Sequence, residues 1–428
     1  MNTLTINSIQ LLQKKAHSLL IYQSVLQEEI GQMFLKMLSS LADINPNPIA
    51  CLQSYTNWFY ALATKNVSWE NYLITAILQS DNPFSQQVQI NDLTVLQPAL
   101  IAAVKHDLQV LQSIYNFSCN QLIDWLQEIA QIPVSSVPWD QEQTQIVNFA
   151  DLDDWGEAIP YLTTYYQQNG TGIFAQFAAF RWSNSQLVGI NHHDQIKLQD
   201  LTAYDQQRQA LIKNTLFLLA GYPALNVLLY GSRGSGKSSL IKALLNEYSH
   251  QRLRLIEVPK SSLHYLSLII EEIRDKPYKF IIFVDDLSFE EDDDNFKSLK
   301  MILEGHIVAK PDNMVVYATS NRRHLVREFF AERPRPKDAD DIHSWDNVHE
   351  KLSFSDRFGL TLTFSPADQD TYLQIVHHLA KQYHLHINQE DLDFQALQWA
   401  TKHNGRSGRS AKQFIDFFRA ELALSVSS

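Results

Sequence analysis

The order of apolar and polar positions predicts a helical first part of the chain. From Leu19 to Leu41 apolar residues recur at steps of three and four, which indicates one amphipathic helix. The same spacing predicts helices over Cys51–Thr64 and Ser68–Ser80. A further helix is expected after Asn91 or Asp92, since either side chain can cap its first turn. Aromatic residues recur at helical spacing in these segments, so we expect them in the core.

A change of pattern follows the predicted helices. The segment Ile132–Asp140 contains two prolines and two serines, which predicts a linker. The apolar runs Phe174–Trp182 and Gln186–Ile190 are separated by Ser183–Ser185, which predicts a β-hairpin packed on the next domain. The sequence NHHD at Asn191–Asp194 is interpreted as a polar loop, because adjacent histidines on an extended chain point to opposite faces and make a poor metal site.

Continuous apolar runs alternate with helical patterns in the rest of the chain. Such runs are typical of strands buried on both faces of a parallel sheet. The fold class is therefore α/β, a parallel five-stranded sheet flanked by helices. Three closing helices, at about 367–384, 391–402 and 409–424, predict a helical lid over the bound ligand. The predicted strands are Asn226–Tyr230, Leu253–Val258, Phe280–Val284, Met314–Ala318 and Leu360–Phe364. The predicted divisions are 1–131 helical accessory domain, 132–197 linker and hairpin, 198–365 α/β core and 366–428 lid.

The stretch GSRGSGKSS carries the clearest chemical signal. It has the spacing of a phosphate-binding P-loop, and it stands between a predicted strand and a predicted helix, as that motif requires. Backbone N–H groups of the loop and the N-terminus of the helix would hold a polyphosphate. Lys237 is expected to reach the β and γ phosphates, and the Ser238 hydroxyl to bind Mg²⁺. The predicted nucleotide-binding residues are Gly231, Ser232, Arg233, Gly234, Ser235, Gly236, Lys237, Ser238 and Ser239.

Two carboxylates at the end of a predicted strand complete this site. Hydrolysis needs a fixed metal ion and an oriented water. We expect Asp285 to hold Mg²⁺, directly or through water, and Asp286 to polarise the attacking water. The acidic run Glu290–Asp294 is interpreted as a solvated loop and not as a second metal site.

The composition narrows the possible partners and compartments. The chain has 428 residues and a net charge of −12. Residues 1–200 hold 7 Lys and Arg against 17 Asp and Glu, so this half is a poor binder of nucleic acid. No apolar run approaches the roughly 18 residues needed to span a bilayer. The two cysteines, Cys51 and Cys119, form no disulfide framework, which fits a reducing compartment, and we expect a cytoplasmic protein without membrane contact.

Five motifs together resemble the bacterial AAA+ ATPase family catalogued as domain of unknown function 815. They are GSRGSGKSS, FIIFVDDLSFE, VVYATSNRRHL, EKLSFSDRFGL and GRSGRSAKQF. The resemblance covers about residues 170–424 and does not extend to the helical first part. It implies that Gly231–Ser238 is a Walker A motif and that Asp285 and Asp286 form Walker B. Most AAA+ proteins have Glu where this chain has Asp286, and the shorter side chain alters the distance to the attacking water.

The resemblance also implies roles for residues further along the chain. Asn321 corresponds to the sensor 1 residue, which lies on a strand between the two Walker strands. Arg357 resembles the arginine finger, a guanidinium that acts in a neighbouring subunit's site. Arg409 resembles sensor 2, with Arg406 as the alternative, and Leu201–Tyr204 matches the segment that packs on adenine. The pair Arg322 and Arg323 is as well explained by surface ion pairs as by substrate contacts.

These features favour one function and leave others open. The leading hypothesis is an ATP- and Mg²⁺-dependent ATPase that assembles into a homo-oligomer, with its arginine finger in trans, and remodels a macromolecular partner. The helical first domain would recruit that partner. An ATP-dependent assembly switch with little turnover is the main alternative, since Asp286 replaces Glu. An initiator- or clamp-loader-like ATPase acting on DNA lacks the expected basic helix. A small-molecule kinase is disfavoured by the lid and the finger.

Overall fold

A computed structural model describes residues 3–43, 45–117, 119–130, 139, 149–288, 294–304, 311–321, 357–403 and 405–426. Contacts group the chain into two compact units, Met1–Gln176 and Phe177–Ser428. Apart from Trp139, the predicted linker Ile132–Asp140 lies outside the described residues. The predicted divisions at residues 131, 197 and 365 therefore stay predictions.

The described part of the first unit is helical, as predicted. Aromatic side chains form much of its core, with the Phe34 and Trp69 rings 4.3 Å apart and the Trp58 and Trp69 rings 5.5 Å apart. Asn47 and Ser68 cap two of the helices by accepting hydrogen bonds from first-turn N–H groups. The helices are α1 Thr3–Ala16, α2 Glu29–Leu41, α3 Pro48–Lys65, α4 Trp69–Gln79, α5 Pro83–Val88, α6 Pro98–Tyr115, α7 Cys119–Ala130, α8 Ile159–Asn169 and α9 Gly172–Gln176.

Two predicted helix starts in this unit are wrong. The helix expected from Leu19 begins only at Glu29, because the N–H groups of Leu20, Ile21 and Tyr22 donate to the carboxylate of Asp107 at 2.6–3.0 Å. Those N–H groups are thereby withdrawn from any helix, and a 3₁₀ turn over Gln23–Leu26 follows. Helix α6 begins at Pro98, whereas Asp92 precedes a short 3₁₀ turn, Leu93–Val95.

A seven-stranded sheet forms the centre of the second unit. The five predicted strands are confirmed and run parallel in the order β4-β5-β6-β3-β7. The predicted hairpin extends this sheet instead of packing on it, because β1 pairs in parallel with β4 and β2 pairs antiparallel with β1 at the edge. The strands are β1 Ala179–Ser183, β2 Gln186–Gly189, β3 Val227–Gly231, β4 Leu253–Glu257, β5 Lys279–Val284, β6 Met314–Ser320 and β7 Leu360–Phe364.

Helices flank the sheet and close the chain, which confirms the predicted α/β fold with a helical lid. The lid helices bury a small core of their own around Tyr372, Val376, Ala396 and Phe414. Among the described helices, none combines the length and the apolar character needed to cross a bilayer. The helices of the second unit are α10 Asp205–Leu219, α11 Lys237–Tyr248, α12 Leu266–Ile273, α13 Asp294–Glu304, α14 Gln369–Gln382, α15 Gln389–Lys402 and α16 Gly408–Val426.

Two smaller predictions concern the approach to the sheet. The apolar run predicted to form a strand from Phe174 begins in helix α9, so the strand itself covers only Ala179–Ser183. The segment Asn191–Asp194 is irregular, and there His193 Nε2 lies 3.0 Å from the amide oxygen of Asn246. In the described part of the chain, no group of three or more potential metal-ligating side chains comes together.

Candidate nucleotide-binding site

The carboxyl ends of three neighbouring parallel strands bring the predicted site residues together. The P-loop follows β3, Asp285 and Asp286 follow β5, and Asn321 directly follows β6. Strand β6 pairs with β3 on one side and β5 on the other, so Asn321 lies at the end of a strand between the two Walker strands, as expected. Ligands of open α/β sheets bind at this edge.

The P-loop turns tightly at three glycines. Gly231, Gly234 and Gly236 have φ angles of +139°, +74° and +88°, which side chains with a Cβ rarely adopt. A Cβ on Gly231 would lie 2.0 Å from the carbonyl oxygen of Phe364 on β7. Gly236 is the N-cap residue just before α11, and no atom lies within 4 Å of the position of its missing Cβ. The loop is therefore closely packed against the sheet at its start and open where it meets the helix.

Lys237 is buried under the loop and folds back onto its backbone. Its ammonium group donates to the carbonyl oxygens of Gly231 at 3.0 Å and Ser232 at 2.7 Å. Burial lowers the pKa of Lys237, while the nearby Asp285 and Asp286 carboxylates act in the opposite direction. A buried ammonium group whose pKa is depressed gains from an anionic ligand, and a phosphate would supply that charge.

Asp285 is the centre of a small oxygen cluster. Its Oδ1 accepts hydrogen bonds from Ser238 Oγ at 2.6 Å, Thr319 Oγ1 at 2.5 Å and the backbone N–H of Asp286 at 3.2 Å. The Ser238 hydroxyl gives its proton to the carboxylate and keeps its lone pairs for a cation. The side-chain atoms of this cluster that could bind a metal ion are all oxygens, the ligands that Mg²⁺ prefers. The residues therefore fit a magnesium ion.

Asp286 sits in a strained backbone conformation beside this cluster. Its φ is +50°, in the left-handed region, which Asp and Asn tolerate better than longer side chains. Its Oδ1 accepts from Asn321 Nδ2 at 2.6 Å, and its backbone N–H donates to Thr319 Oγ1 at 3.0 Å. Within the described residues, Oδ2 of Asp286 accepts no hydrogen bond, which leaves it for a water. The left-handed turn gives a physical reason for Asp in place of Glu.

A cavity of about 630 Å³ runs from the P-loop to the lid. The predicted residues Arg233–Ser239, Asp285, Asp286 and Asn321 are among its lining residues. Gly231 and Ser232 do not line it and instead form the bend between β3 and the loop, where the Ser232 N–H donates to Phe364 O at 3.0 Å. The lining also includes apolar side chains, which suit a nucleobase. The apolar lining residues are Ile196, Leu201, Ile375 and Leu379.

The last lid helix reaches the P-loop directly. The backbone N–H of Arg409 donates to the carbonyl oxygen of Gly234 at 3.2 Å, and Arg409 lines the cavity. Arg406, the alternative for sensor 2, instead directs Nη2 to Gln369 Oε1 at 3.3 Å on the first lid helix. In the segment Leu201–Tyr204, which is predicted to pack on adenine, Leu201 and Thr202 line the cavity, whereas the Tyr204 hydroxyl donates to Ser365 O at 2.6 Å.

Sequence reasoning missed several residues of this cavity. Thr319 stands two residues before Asn321 on a buried strand, within the motif VVYATSNRRHL, but the family resemblance assigns no role to it. The lid contributes Lys412, Gln413 and Asp416, which follow Arg409 at helical spacing on α16. That periodicity is visible in the sequence, but it does not tell which side of the helix faces the ligand.

Arg357 is not brought together with the other candidates within one chain. It lies just before β7, is partly buried and is not among the residues that line the cavity. The predicted arginine pair Arg322 and Arg323 lies outside the described residues, and so does most of the acidic run Glu290–Asp294.

Comparisons with known proteins identify a family and several similar structures. Residues 175–422 match the family described as "Protein of unknown function (DUF815)". A comparison with curated proteins gives no match. The structure titled Thermotoga maritima RuvB Holliday junction branch migration motor has a TM-score of 0.36 and 13% identity, and the match covers 54% of this chain and 66% of that chain, just under two thirds. A proline-to-glycine mutant of the same RuvB gives a TM-score of 0.38 at 13% identity, covering 54% and 67%, and a lysine-to-arginine mutant gives 0.34 at 11%, covering 52% and 72%.

Proposed function

The chain belongs to the protein family DUF815, and we propose that it is an ATPase that binds ATP with Mg²⁺ and hydrolyses the bond between the β and γ phosphates. The second unit has the AAA+ P-loop fold. The observation that carries the proposal is the hydrogen-bonded cluster of Ser238, Asp285, Thr319, Asp286 and Asn321 beside a lysine-bearing P-loop. A loop that only held phosphate would need neither the second carboxylate nor its amide partner.

The residues divide the work of hydrolysis between binding and activation. Backbone N–H groups of the P-loop hold the phosphates, and Lys237 exchanges its contacts with loop carbonyls for phosphate oxygens. Ser238 Oγ and Asp285 would hold Mg²⁺, which neutralises charge on the β and γ phosphates when bound. Oδ2 of Asp286 accepts a proton from the attacking water, while Asn321 holds the other oxygen of that carboxylate.

The lid completes the nucleotide site. Arg409 lines the cavity and its backbone contacts the P-loop, and its guanidinium matches phosphate geometry. Ile375 and Leu379 of α14 line the same cavity as Leu201, and these apolar side chains would enclose the adenine ring. Since one wall of the cavity belongs to the lid, nucleotide binding favours the arrangement in which lid and core stay together.

We further propose a homo-oligomer with Arg357 acting in trans. Arg357 does not line the cavity of its own chain, so a neighbouring copy is the source of the arginine that such a site needs. The helical first unit would recruit the protein that is remodelled. Its acidic composition argues against nucleic acid as the ligand of this unit.

A second candidate is a nucleotide-dependent assembly switch with little turnover. It is favoured by one observation, the short Asp286 side chain whose Oδ1 is already bonded to Asn321. In this function, ATP binding would change the oligomeric state, and slow hydrolysis would reset it.

The test compares Mg²⁺-dependent phosphate release by the full chain and by two lysine variants. Lys237→Ala should lower release about 100-fold or more, because a preorganised positive charge at the phosphates is lost. Lys242→Ala removes the same charge from the same helix, away from the cavity lining, and should match the wild type. Equal turnover of both variants, or no release by the wild type, would reject hydrolysis. The mass of the native oligomer, measured with ATP, with ADP and without nucleotide, then tests the assembly switch. A mass that is the same in all three conditions would reject the switch.

A further inference from the structure

The Thr319 hydroxyl connects the two carboxylate residues of the site. It lies 2.5 Å from Asp285 Oδ1 and 3.0 Å from the backbone nitrogen of Asp286, and the residue is only 3% exposed. No other side chain in the described part of the chain contacts both residues by hydrogen bonds. The hydroxyl is therefore placed to act on the metal-binding group and on the water-activating group at once.

The directions of these two hydrogen bonds are fixed by chemistry. A backbone N–H can only donate, so Thr319 Oγ1 is the acceptor from Asp286. The single hydroxyl proton is then donated to Asp285 Oδ1. The two hydrogen bonds strengthen each other, because a hydroxyl that accepts from the Asp286 N–H becomes a better donor to the Asp285 carboxylate.

The surrounding backbone shows why this link is needed. The β5–β6 ladder ends at the pair Val284 and Ala318, and the chain then turns through Asp286 with its positive φ. Past the turn, Leu287 N donates to the Thr319 carbonyl oxygen at 2.7 Å. Thr319 therefore supports the turn at two points. Its hydroxyl oxygen accepts from the N–H of Asp286, and its carbonyl oxygen accepts from the N–H of Leu287. A left-handed Asp requires such support, since residues other than glycine persist in this conformation only where the surrounding structure holds them there.

We propose that Thr319 is a positioning residue that sets Asp285 for the cation and Asp286 for the water. This inference rests on the proposed ATPase site. Outer-shell hydrogen-bond partners of metal ligands typically change metal affinity or activity about 10- to 100-fold when removed. We expect an effect of that size on the Mg²⁺ dependence of nucleotide binding and on kcat.

Two substitutions separate the hydroxyl from the shape of the side chain. Thr319→Val keeps the branched shape and loses both hydrogen bonds, whereas Thr319→Ser keeps the hydroxyl. Thr215→Val is the matched control, because Thr215 is also fully buried and hydroxyl-bonded, to Tyr317 at 3.0 Å, but does not line the cavity. Each full-length variant is titrated with ADP by calorimetry at several Mg²⁺ concentrations, and kcat and KM for ATP are measured in parallel.

The expected result is specific to Thr319→Val. Its Mg²⁺ requirement for ADP binding should rise about 10-fold and its kcat should fall about 10- to 100-fold. Affinity for ADP without Mg²⁺ should stay within about 2-fold, since the P-loop contacts remain. Thr319→Ser and Thr215→Val should retain the Mg²⁺ dependence of the wild type.

Different failures of this experiment have different meanings. If Thr319→Val keeps the wild-type Mg²⁺ dependence, or if Thr319→Ser is as impaired as Thr319→Val, the positioning role is overturned. If the wild type binds Mg²⁺-ADP but releases no phosphate, hydrolysis is rejected while the calorimetric arm still decides on Thr319. Absence of any nucleotide binding by the wild type would overturn both.

Discussion

Two glycines of the P-loop should respond to the same substitution to very different extents. A Cβ on Gly231 would stand 2.0 Å from the Phe364 carbonyl oxygen and 2.7 Å from its carbon, at a φ of +139°. The nearest atoms are backbone atoms of β7, so no flexible side chain can move aside. The backbone strain costs about 1 to 3 kcal/mol, and forcing apart packed groups costs about 1 to 3 kcal/mol more. Gly231→Ala should therefore destabilise the second unit by about 2 to 6 kcal/mol.

Gly236→Ala meets no such obstacle. Nothing lies within 4 Å of the added Cβ, so only the cost of its φ of +88° remains, about 1 to 2 kcal/mol. Gly236 lines the cavity, however, and a methyl group there occupies space near the phosphates. Gly221→Ala is the matched control, since it has a φ of +79°, equally open surroundings and no place in the cavity lining.

Hydrogen exchange of β3 and β7 peptides, together with nucleotide calorimetry, measures both effects on the full chain. Gly231→Ala should lose protection in both strands, while Gly236→Ala and Gly221→Ala should show similar, small losses. Of those two, only Gly236→Ala should bind ATP more weakly, by about 10-fold or more, because two loop N–H contacts at about 1 kcal/mol each are disturbed. The reasoning is refuted if Gly231→Ala keeps wild-type protection, or if Gly221→Ala weakens ATP binding as much as Gly236→Ala does.

Two further predictions concern buried charges. Burial lowers the pKa of Lys237 below 10.5, so above the lowered pKa the unfolded chain binds more protons than the folded one. The difference in unfolding free energy between the nucleotide-free wild type and Lys237→Met should therefore increase in favour of the wild type as the pH rises to about 10.5. Paired denaturant titrations from about pH 8 to about pH 11 check this, and a difference that falls with pH would contradict it. In the first unit, Asp107→Asn should cost about 2 to 4 kcal/mol, because charged hydrogen bonds to three backbone N–H groups are weakened. Exposed Asp124→Asn should change stability by less than about 0.5 kcal/mol in the same titration, and equal effects of the two would disprove this account.

The sheet and the P-loop could be predicted because their signals are local. The strand Phe280–Val284 is apolar at every position, since both faces are covered, and the structure extends it by one residue to Lys279. The glycine spacing of the P-loop is equally local, because it reflects a backbone path that other residues cannot follow. Such features can be recognised in a window of a few residues.

The main errors involve partners far away in the sequence. The helix expected from Leu19 is interrupted by Asp107, 87 residues beyond Leu20, and nothing near Leu19 marks the break. Pairing of β1 with β4 depends on an edge that the hairpin sequence does not encode. The role proposed for Thr319 arises only where β5 and β6 end side by side, and in the sequence this residue simply follows the predicted strand Met314–Ala318.

The contact between Gly234 and Arg409 has a consequence for how this protein can vary. It joins two backbone atoms, so exchanging the arginine side chain removes a positive charge from the cavity lining without removing the N–H that contacts the P-loop. Proline alone among the standard residues lacks the N–H that donates here. Because Arg409 lies in the first turn of α16, where proline is tolerated, Arg409→Pro would sever the connection and spare the helix. Proline therefore removes both the positive charge and the lid contact at this position, whereas another uncharged residue removes the charge alone.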